Sequence, residues 1–308
     1  MPLAVVDIGT NSTRLLIAEP SASGGAPQEL LRRSEVTRLG DGVDAAGRLS
    51  DEAMARVFER LAEYHEQIDE HHCTANLAVL TSAVRDAANG TEFAAKVRDD
   101  YGLDAKVLSG DEEAQLTFLG AMSGRPAARE PTVVIDIGGG STEFIVGVGR
   151  SAGFHVSVPV GVVRMSERHI HSDPPSSEDL QMLADDVRAT LQQHIPQDER
   201  TPVTTGIAVA GTATSAASID QELDPYDPAQ VHGYPLLLAT VERLLANLAE
   251  RDEQARREVV GLHPDRAPTI VAGMVILAES LRAFNLEQVE VSEHDILYGG
   301  ILRLAGAG

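Results

Sequence analysis

Leu3-Ala-Val-Val-Asp-Ile-Gly-Thr-Asn-Ser-Thr13 opens the chain, and Thr132-Val-Val-Ile-Asp-Ile-Gly-Gly-Gly-Ser-Thr142 restates it. Asp7 and Asp136, Ile8 and Ile137, Gly9 and Gly138, Ser12 and Ser141, and Thr13 and Thr142 all stand at one offset of 129 residues. In each copy an apolar run ends in aspartate, a glycine-containing turn follows, and a second run resumes at Arg14–Ala18 or Thr142–Val148. That pattern predicts strand, turn and strand, and its recurrence predicts an internal duplication. At 308 residues the chain has room for two domains. We place them at 1–124 and 125–308, joined through the Gly/Pro-rich stretch Ser123–Pro131, with the closing helix after about 294 returning to the first domain.

Working outward, strands are expected at Glu29–Glu35, Asn76–Leu80, Ala105–Leu108, Ile207–Ala210 and Val289–Val291. Ser21–Pro27 is a turn. Ser50 followed by Asp51-Glu52 starts a helix that runs to about Asp69. Further helices are expected at 91–101, 111–122, 162–171, 177–195, 236–248 and 267–283. Gly211-Thr-Ala-Thr-Ser215 reads as a third Gly/Thr turn. Strands and helices mix throughout, which indicates a layered α/β architecture.

Composition narrows the function. A net charge of −22 argues against nucleic acid or a membrane surface as partner. It does not forbid a polyanionic substrate, because the Debye length is about 8 Å at physiological salt and the local field decides. All basic residues but Lys96 and Lys106 are arginine, whose fork matches phosphate oxygens. No leader pattern and no apolar run of ~18 residues is present, and the single Cys73 suits a reducing compartment, so the expectation is cytoplasmic.

A strand ending in Asp followed by Gly-x-x-Ser is a way to hold a phosphate beside a metal. Glycine reaches positive φ and lets an anion approach the backbone N–H groups. Asn11, Ser12, Ser141 and Thr142 add donors, and Asp7 and Asp136 offer oxygen ligands to Mg²⁺, with Glu143 as a further carboxylate. A structural Asp-Gly hairpin would explain one such loop; two at a fixed offset and a third Gly-Thr turn favour function. No P-loop signature occurs.

Two other clusters read as structural on their residues alone. The acids of Ser109-Gly-Asp-Glu-Glu-Ala114 suit the positive end of a helix dipole, although one glutamate facing the site would serve as a general base. Arg85 sits beside Asp86, and a simple pairing explains it. His71-His72-Cys73 and the His169/His171 pair read as helix-end residues, and His294-Asp295 as an isolated pair.

Together the segments resemble the exopolyphosphatase/guanosine pentaphosphate phosphohydrolase family of the actin, Hsp70 and sugar kinase superfamily. The resemblance rests on Asp7–Ser12, Thr81-Ser-Ala-Val-Arg-Asp-Ala87, Ser109–Ala114, Asp136–Glu143, Gly161-Val-Val-Arg-Met-Ser-Glu167, Ala210-Gly-Thr212, and Arg266-Ala followed by Ala272-Gly-Met-Val-Ile-Leu277. It implies two ribonuclease H-like (actin-like) domains with an active site in the cleft between them. It implies Glu113 as the water-activating base, Asp136 and Glu143 as metal ligands, and Arg85 as a phosphate contact, against the structural readings of Glu113 and Arg85 above. Phosphate binding is expected from Gly9, Thr10, Asn11, Ser12, Arg85, Gly138, Gly139, Gly140, Ser141, Thr142, Gly211 and Thr212, and Mg²⁺ (or Mn²⁺) binding from Asp7, Asp136 and Glu143. One departure is Tyr298, where the family often carries arginine.

The function implied is Mg-dependent hydrolysis of the terminal phosphate of inorganic polyphosphate. The alternatives are guanosine pentaphosphate hydrolysis at the same site, an actin-like kinase, and a non-hydrolytic sensor of polyphosphate or alarmone. A homodimer is the commonest prior for a soluble assembly.

Overall fold

The computed structural model describes residues 1–21, 25–125, 128–149 and 151–306. Parts of the Ser21–Pro27 turn and of the Ser123–Pro131 linker lie outside the described residues. Contacts divide the chain into one unit of Met1–Ala127 with His294–Gly308, and a second of Ala128–Glu293.

The first unit is built on a five-stranded sheet of β1 (Leu3–Ile8), β2 (Ser12–Glu19), β3 (Gln28–Val36), β4 (Asn76–Leu80) and β5 (Ala105–Val107), in the order β3-β2-β1-β4-β5. β1, β2 and β3 form an antiparallel meander, whereas β4 and β5 run parallel to β1. The alternation of β1 divides its side chains between two cores. Ala4, Val6 and Ile8 join the core that includes Val57, Leu61 and Tyr64 of helix Asp51–Glu70, while Leu3 and Val5 join Leu116, Ile296, Leu297 and Ile301 on the other face. Helix Asp51–Glu70 starts where expected, with Ser50 Oγ accepting from Ala53 N at 3.2 Å. The final helix, Ile296–Leu304, completes the second of these cores and is part of the first unit. Tyr298 belongs to this core, 4% exposed, and donates its hydroxyl to Glu29 Oε2 at 3.1 Å.

The second unit repeats the arrangement with β6 (Ala128–Ile137), β7 (Thr142–Gly149), β8 (Ser151–Val158), β9 (Thr205–Val209), β10 (Pro235–Leu237) and β11 (Gln288–Val291), ordered β10-β11-β9-β6-β7-β8. β6, β7 and β8 form the antiparallel meander, and β9 and β11 lie parallel beyond β6. The core includes Val133, Ile135 and Ile137 of β6 together with Leu183, Leu191, Leu244, Leu248 and helix Ile270–Ala283. Ile270 to Leu281 are all buried, as expected of a helix apolar on every side. The shared strand order identifies two α/β units of the same ribonuclease H-like plan, as the duplicated sequence implied. The sequence reading omits β8 and β10.

One local expectation is corrected. Gly211-Thr-Ala-Thr-Ser215 is not a turn but the first turn of helix Ala210–Asp220, which begins directly as β9 ends. Ala210 makes the junction by adopting φ +64°, a left-handed conformation that a non-glycine residue rarely takes. No helix among the described residues is long and apolar enough to cross a membrane.

Candidate active site

In the first unit the β1–β2 turn is closed by Gly9 N donating to Ser12 O at 3.0 Å. It is braced from the side, since Gly40 N donates to Thr10 O and Arg38 N to Asn11 O at 2.8 and 2.9 Å. Thr10 Oγ1 and Ser82 Oγ lie 2.9 Å apart in a buried contact, which brings the turn to the segment after β4 that carries Arg85. Arg85 Nη1 donates to Glu113 Oε2 at 2.9 Å and to Leu108 O at 3.1 Å, and Arg85 Nε is 3.8 Å from Asp86. The simple Arg85–Asp86 pairing is therefore the longer of the two ion pairs.

The two glutamates of the helix Gly110–Ala121 divide their work. Glu112 and Ser109 form a capping box, with Glu112 N donating to Ser109 Oγ and Ser109 N to Glu112 Oε2. Glu113, one residue further round the helix, is 7% exposed and faces Arg85. The structural reading of this acidic cluster thus holds for Glu112, and the half-buried ion pair with Arg85 sets Glu113 apart.

Asp7, next to last in β1, lies directly across from Arg14 on β2. Arg14 Nε and Nη2 both donate to Asp7 Oδ2, at 2.9 and 2.6 Å, and Arg14 Nη1 donates to Asp295. Asp295 also caps the final helix, accepting from Leu297 N at 3.0 Å. Burial raises the Asp7 carboxyl above its usual range despite the Arg14 guanidinium. Burial pushes Asp295 the same way, but there the charges of Arg14 and Arg32 outweigh it and hold the carboxyl low. His294-Asp295 is accordingly structural: Asp295 binds the arginine, and His294 stacks on Tyr298 with ring centroids 3.9 Å apart.

The second unit's β6–β7 turn copies the first, with Gly138 N donating to Ser141 O at 2.9 Å. The register now sets Glu143 across from Asp136. Both are buried, at 1% and 8% exposed. Ser141 Oγ and Ser157 Oγ donate to Glu143 Oε1 at 2.7 and 2.8 Å. Thr142 is fully buried and gives its hydroxyl proton to Val160 O at 2.5 Å, so that hydroxyl holds the loop rather than offering itself to a ligand. The turn rests on helix Val162–His169, whose first N–H groups are spent on its carbonyls: Val162 N on Gly138 O and Val163 N on Gly139 O, at 3.0 and 2.9 Å. Arg164 Nε adds a bond to Gly140 O at 2.8 Å. Gly161 permits this approach, because a Cβ there would sit 2.4 Å from Gly139 O.

Gly9, Gly138, Gly139 and Gly140 are absent from the residues at positive φ. Their freedom to reach left-handed angles, expected from sequence, is not what these turns use. Close approach is, and at Gly211 it is extreme: a Cβ there would lie 1.7 Å from Arg266 Nη1, so the guanidinium lies against the first turn of helix Ala210–Asp220 that also carries Thr212. The sequence reading gives Arg14, Asp295, Arg164 and Arg266 no role. Only Arg14 had a local signal, its fixed place across the hairpin from Asp7.

Among the described residues no cluster of three or more His, Cys, Asp or Glu side chains forms a ready-made metal cage. Magnesium does not require one. It keeps several waters and is commonly held by one or two carboxylates together with substrate phosphates. Asp136 and Glu143, paired across two strands, are a hard-oxygen set of that kind, whereas Asp7 already answers a guanidinium.

Residues 16–305 match the model of the Ppx/GppA phosphatase family. Exopolyphosphatase 2 of Mycobacterium tuberculosis is 36% identical over 99% of this chain and 98% of its own length. Among solved structures, the Aquifex aeolicus Ppx/GppA family member superposes with a TM-score of 0.83 at 30% identity, covering 99% of this chain and 97% of that one. An exopolyphosphatase from Cytophaga hutchinsonii gives 0.90 at 26% identity, covering 100% and 99%.

Proposed function

This chain belongs to the Ppx/GppA phosphatase family, and we propose that it is an exopolyphosphatase that hydrolyses the terminal phosphoanhydride bond of inorganic polyphosphate. The observation that carries the reading is Glu113: a carboxylate 7% exposed, oriented by Arg85 at 2.9 Å, beside a segment bonded to the first Asp-Gly turn. The name of the Mycobacterium tuberculosis relative supports the substrate class.

Glu113 takes the proton of the attacking water, and Arg85 both orients that carboxylate and meets a phosphate oxygen. In the first unit the β1–β2 turn with Asn11 and Ser12, and in the second the β6–β7 turn and Arg266, each offer phosphate oxygens charge-assisted hydrogen-bond donors. Asp136 and Glu143 would hold Mg²⁺, which when bound neutralises charge on the phosphoryl oxygens. Phosphoryl transfer asks for positioning and charge stabilisation above all, and these groups supply both.

The test is phosphate release from polyphosphates of several lengths and from guanosine pentaphosphate. Polyphosphate is expected to be the better substrate, and Glu113→Gln to lower kcat by roughly 10²- to 10⁴-fold with substrate binding retained. Turnover unchanged in that variant would remove Glu113 from the mechanism. Phosphate release confined to guanosine pentaphosphate would reassign the substrate.

A further inference from the structure

A second concentration of arginine lies elsewhere in the Ala128–Glu293 unit. A cavity of about 160 Å³ is lined by Arg188 and Gln192 of helix Ser177–His194, by Arg200, and by Glu279, Arg282 and Ala283 at the end of helix Ile270–Ala283. In a chain with 47 acidic and 25 basic residues, three guanidiniums line this one cavity with a single carboxylate, while Asp185 and Glu242 engage two of the arginines as well.

The three arginines are not equivalent. Arg188 clasps Glu279 through Nε and Nη2 at 3.0 and 3.2 Å and gives Nη1 to Asp185 at 2.9 Å. Arg282 divides itself between Glu279 at 2.5 Å and Glu242 at 2.6 Å. Glu279, 3% exposed, is thereby doubly neutralised. Arg200 has no carboxylate among the described residues. It makes a single 3.5 Å contact to Ala283 O, and its Nε is shut off from solvent with no acceptor. A guanidinium at a cavity wall with no direct ion pair and a buried Nε left without an acceptor is a costly arrangement unless an anion completes it. The space takes a small oxyanion with attendant water, and the arginine fork matches tetrahedral phosphate oxygens.

We propose that this cavity binds a phosphate-class oxyanion, with Arg200 as the recognising cation and Arg188 and Arg282 as flanking charges. The shared chemistry has two sources, free orthophosphate and the end of a phosphate chain. The proposal does not depend on the reaction assigned above.

Equilibrium dialysis of the full chain against labelled orthophosphate, and separately against non-hydrolysable methylenediphosphonate, tests it. Arg200→Gln is expected to weaken one class of sites by at least about tenfold, while Arg303→Gln, a change to an exposed arginine of the final helix, leaves binding as it was. Glu279→Gln is expected to act in the opposite direction. It releases Arg188 and Arg282 toward the cavity and tightens the anion, a gain that a purely structural ion network would not produce. Circular dichroism confirms the fold of each variant, and Arg200→Lys, which keeps the charge without the fork, retains part of the affinity. A preference for orthophosphate identifies the free ion as ligand, and a preference for the diphosphonate identifies a chain end. Binding of both probes by Arg200→Gln at wild-type strength, or weakened binding in Glu279→Gln, overturns the proposal.

Discussion

The two Asp-Gly hairpins have the same backbone and opposite chemistry. In each the glycine N–H closes the turn onto a serine carbonyl, at 3.0 Å for Gly9 and 2.9 Å for Gly138. In each the aspartate lies across the ladder from the second residue after that serine. That residue is Arg14 in the first hairpin and Glu143 in the second. A single position therefore sets what its aspartate does: Asp7 is half of an ion pair that also ties down Asp295, and Asp136 is half of a carboxylate pair. Duplicated backbone supplies the scaffold, and one side chain decides whether the aspartate faces a guanidinium or a second carboxylate across the ladder.

The largest effect should come from removing the arginine. Arg14 is only 12% exposed, and Asp7 and Asp295, at 7% and 1%, are its partners. Arg14→Ala leaves two carboxylates buried without their shared cation, and we expect a loss of about 3–5 kcal/mol in urea unfolding at neutral pH. The sign of the pH dependence follows from the two acids. Asp295 is held low in the folded protein, so its contribution is present above the ordinary carboxylate range and lost as pH falls. Asp7 is held high, so it favours the folded state at low pH and loses that contribution as pH rises through its folded value. Without Arg14 both acids favour the neutral form, so the deficit should be greatest at pH 7–8 and should shrink toward pH 4. A deficit independent of pH would show that Arg14 acts through packing rather than charge.

What sequence revealed here was local. The repeated hairpins, the Asp at each strand end and the start of helix Asp51–Glu70 were all legible because their signals lie within a few residues. The duplication was legible because a fixed offset is arithmetic. Neighbours far apart in sequence were not. Nothing near Arg14 announces Asp295, 281 residues away, and nothing near Gly211 announces Arg266. At Gly211 the pattern misleads for a physical reason: Gly and Thr signal turns, but a left-handed Ala210 lets β9 pass directly into a helix. Glu113 and Arg85 were assigned by resemblance, since composition alone favoured capping and local pairing. Their mutual bond spans 28 residues, beyond the reach of any local pattern.

The bracing of the two turns offers the next test. A Cβ at Gly161 would meet backbone, 2.4 Å from Gly139 O, whereas one at Gly40 would meet the end of the Thr10 side chain, 2.1 Å from its Cγ2. Backbone held by helix N–H groups yields less readily than a threonine methyl. Gly161→Ala is expected to cost about 1–3 kcal/mol and to distort the second turn enough to depress activity. Gly40→Ala should cost less, unless turning Thr10 also breaks its contact with Ser82. Thermal unfolding of both variants decides the order, and equal costs would mean that the two turns are braced alike.

The smallest change in stability should come from the residue that matters most to the comparison. Glu143→Gln keeps an acceptor for Ser141 and Ser157 and replaces one of the two acids set across β6 and β7. The amide is isosteric and still accepts both hydroxyl protons, so folding stability should move by less than about 1 kcal/mol. Mg²⁺ affinity, read by calorimetry, should nevertheless fall by at least about tenfold, with hydrolysis falling alongside it. The equivalent position would then give opposite results in the two units: at 14 a structural collapse that follows pH, at 143 an intact fold that no longer retains its metal. If Glu143→Gln destabilised the protein as severely as Arg14→Ala, the second hairpin would be an anchor like the first, and the division of labour between them would be wrong.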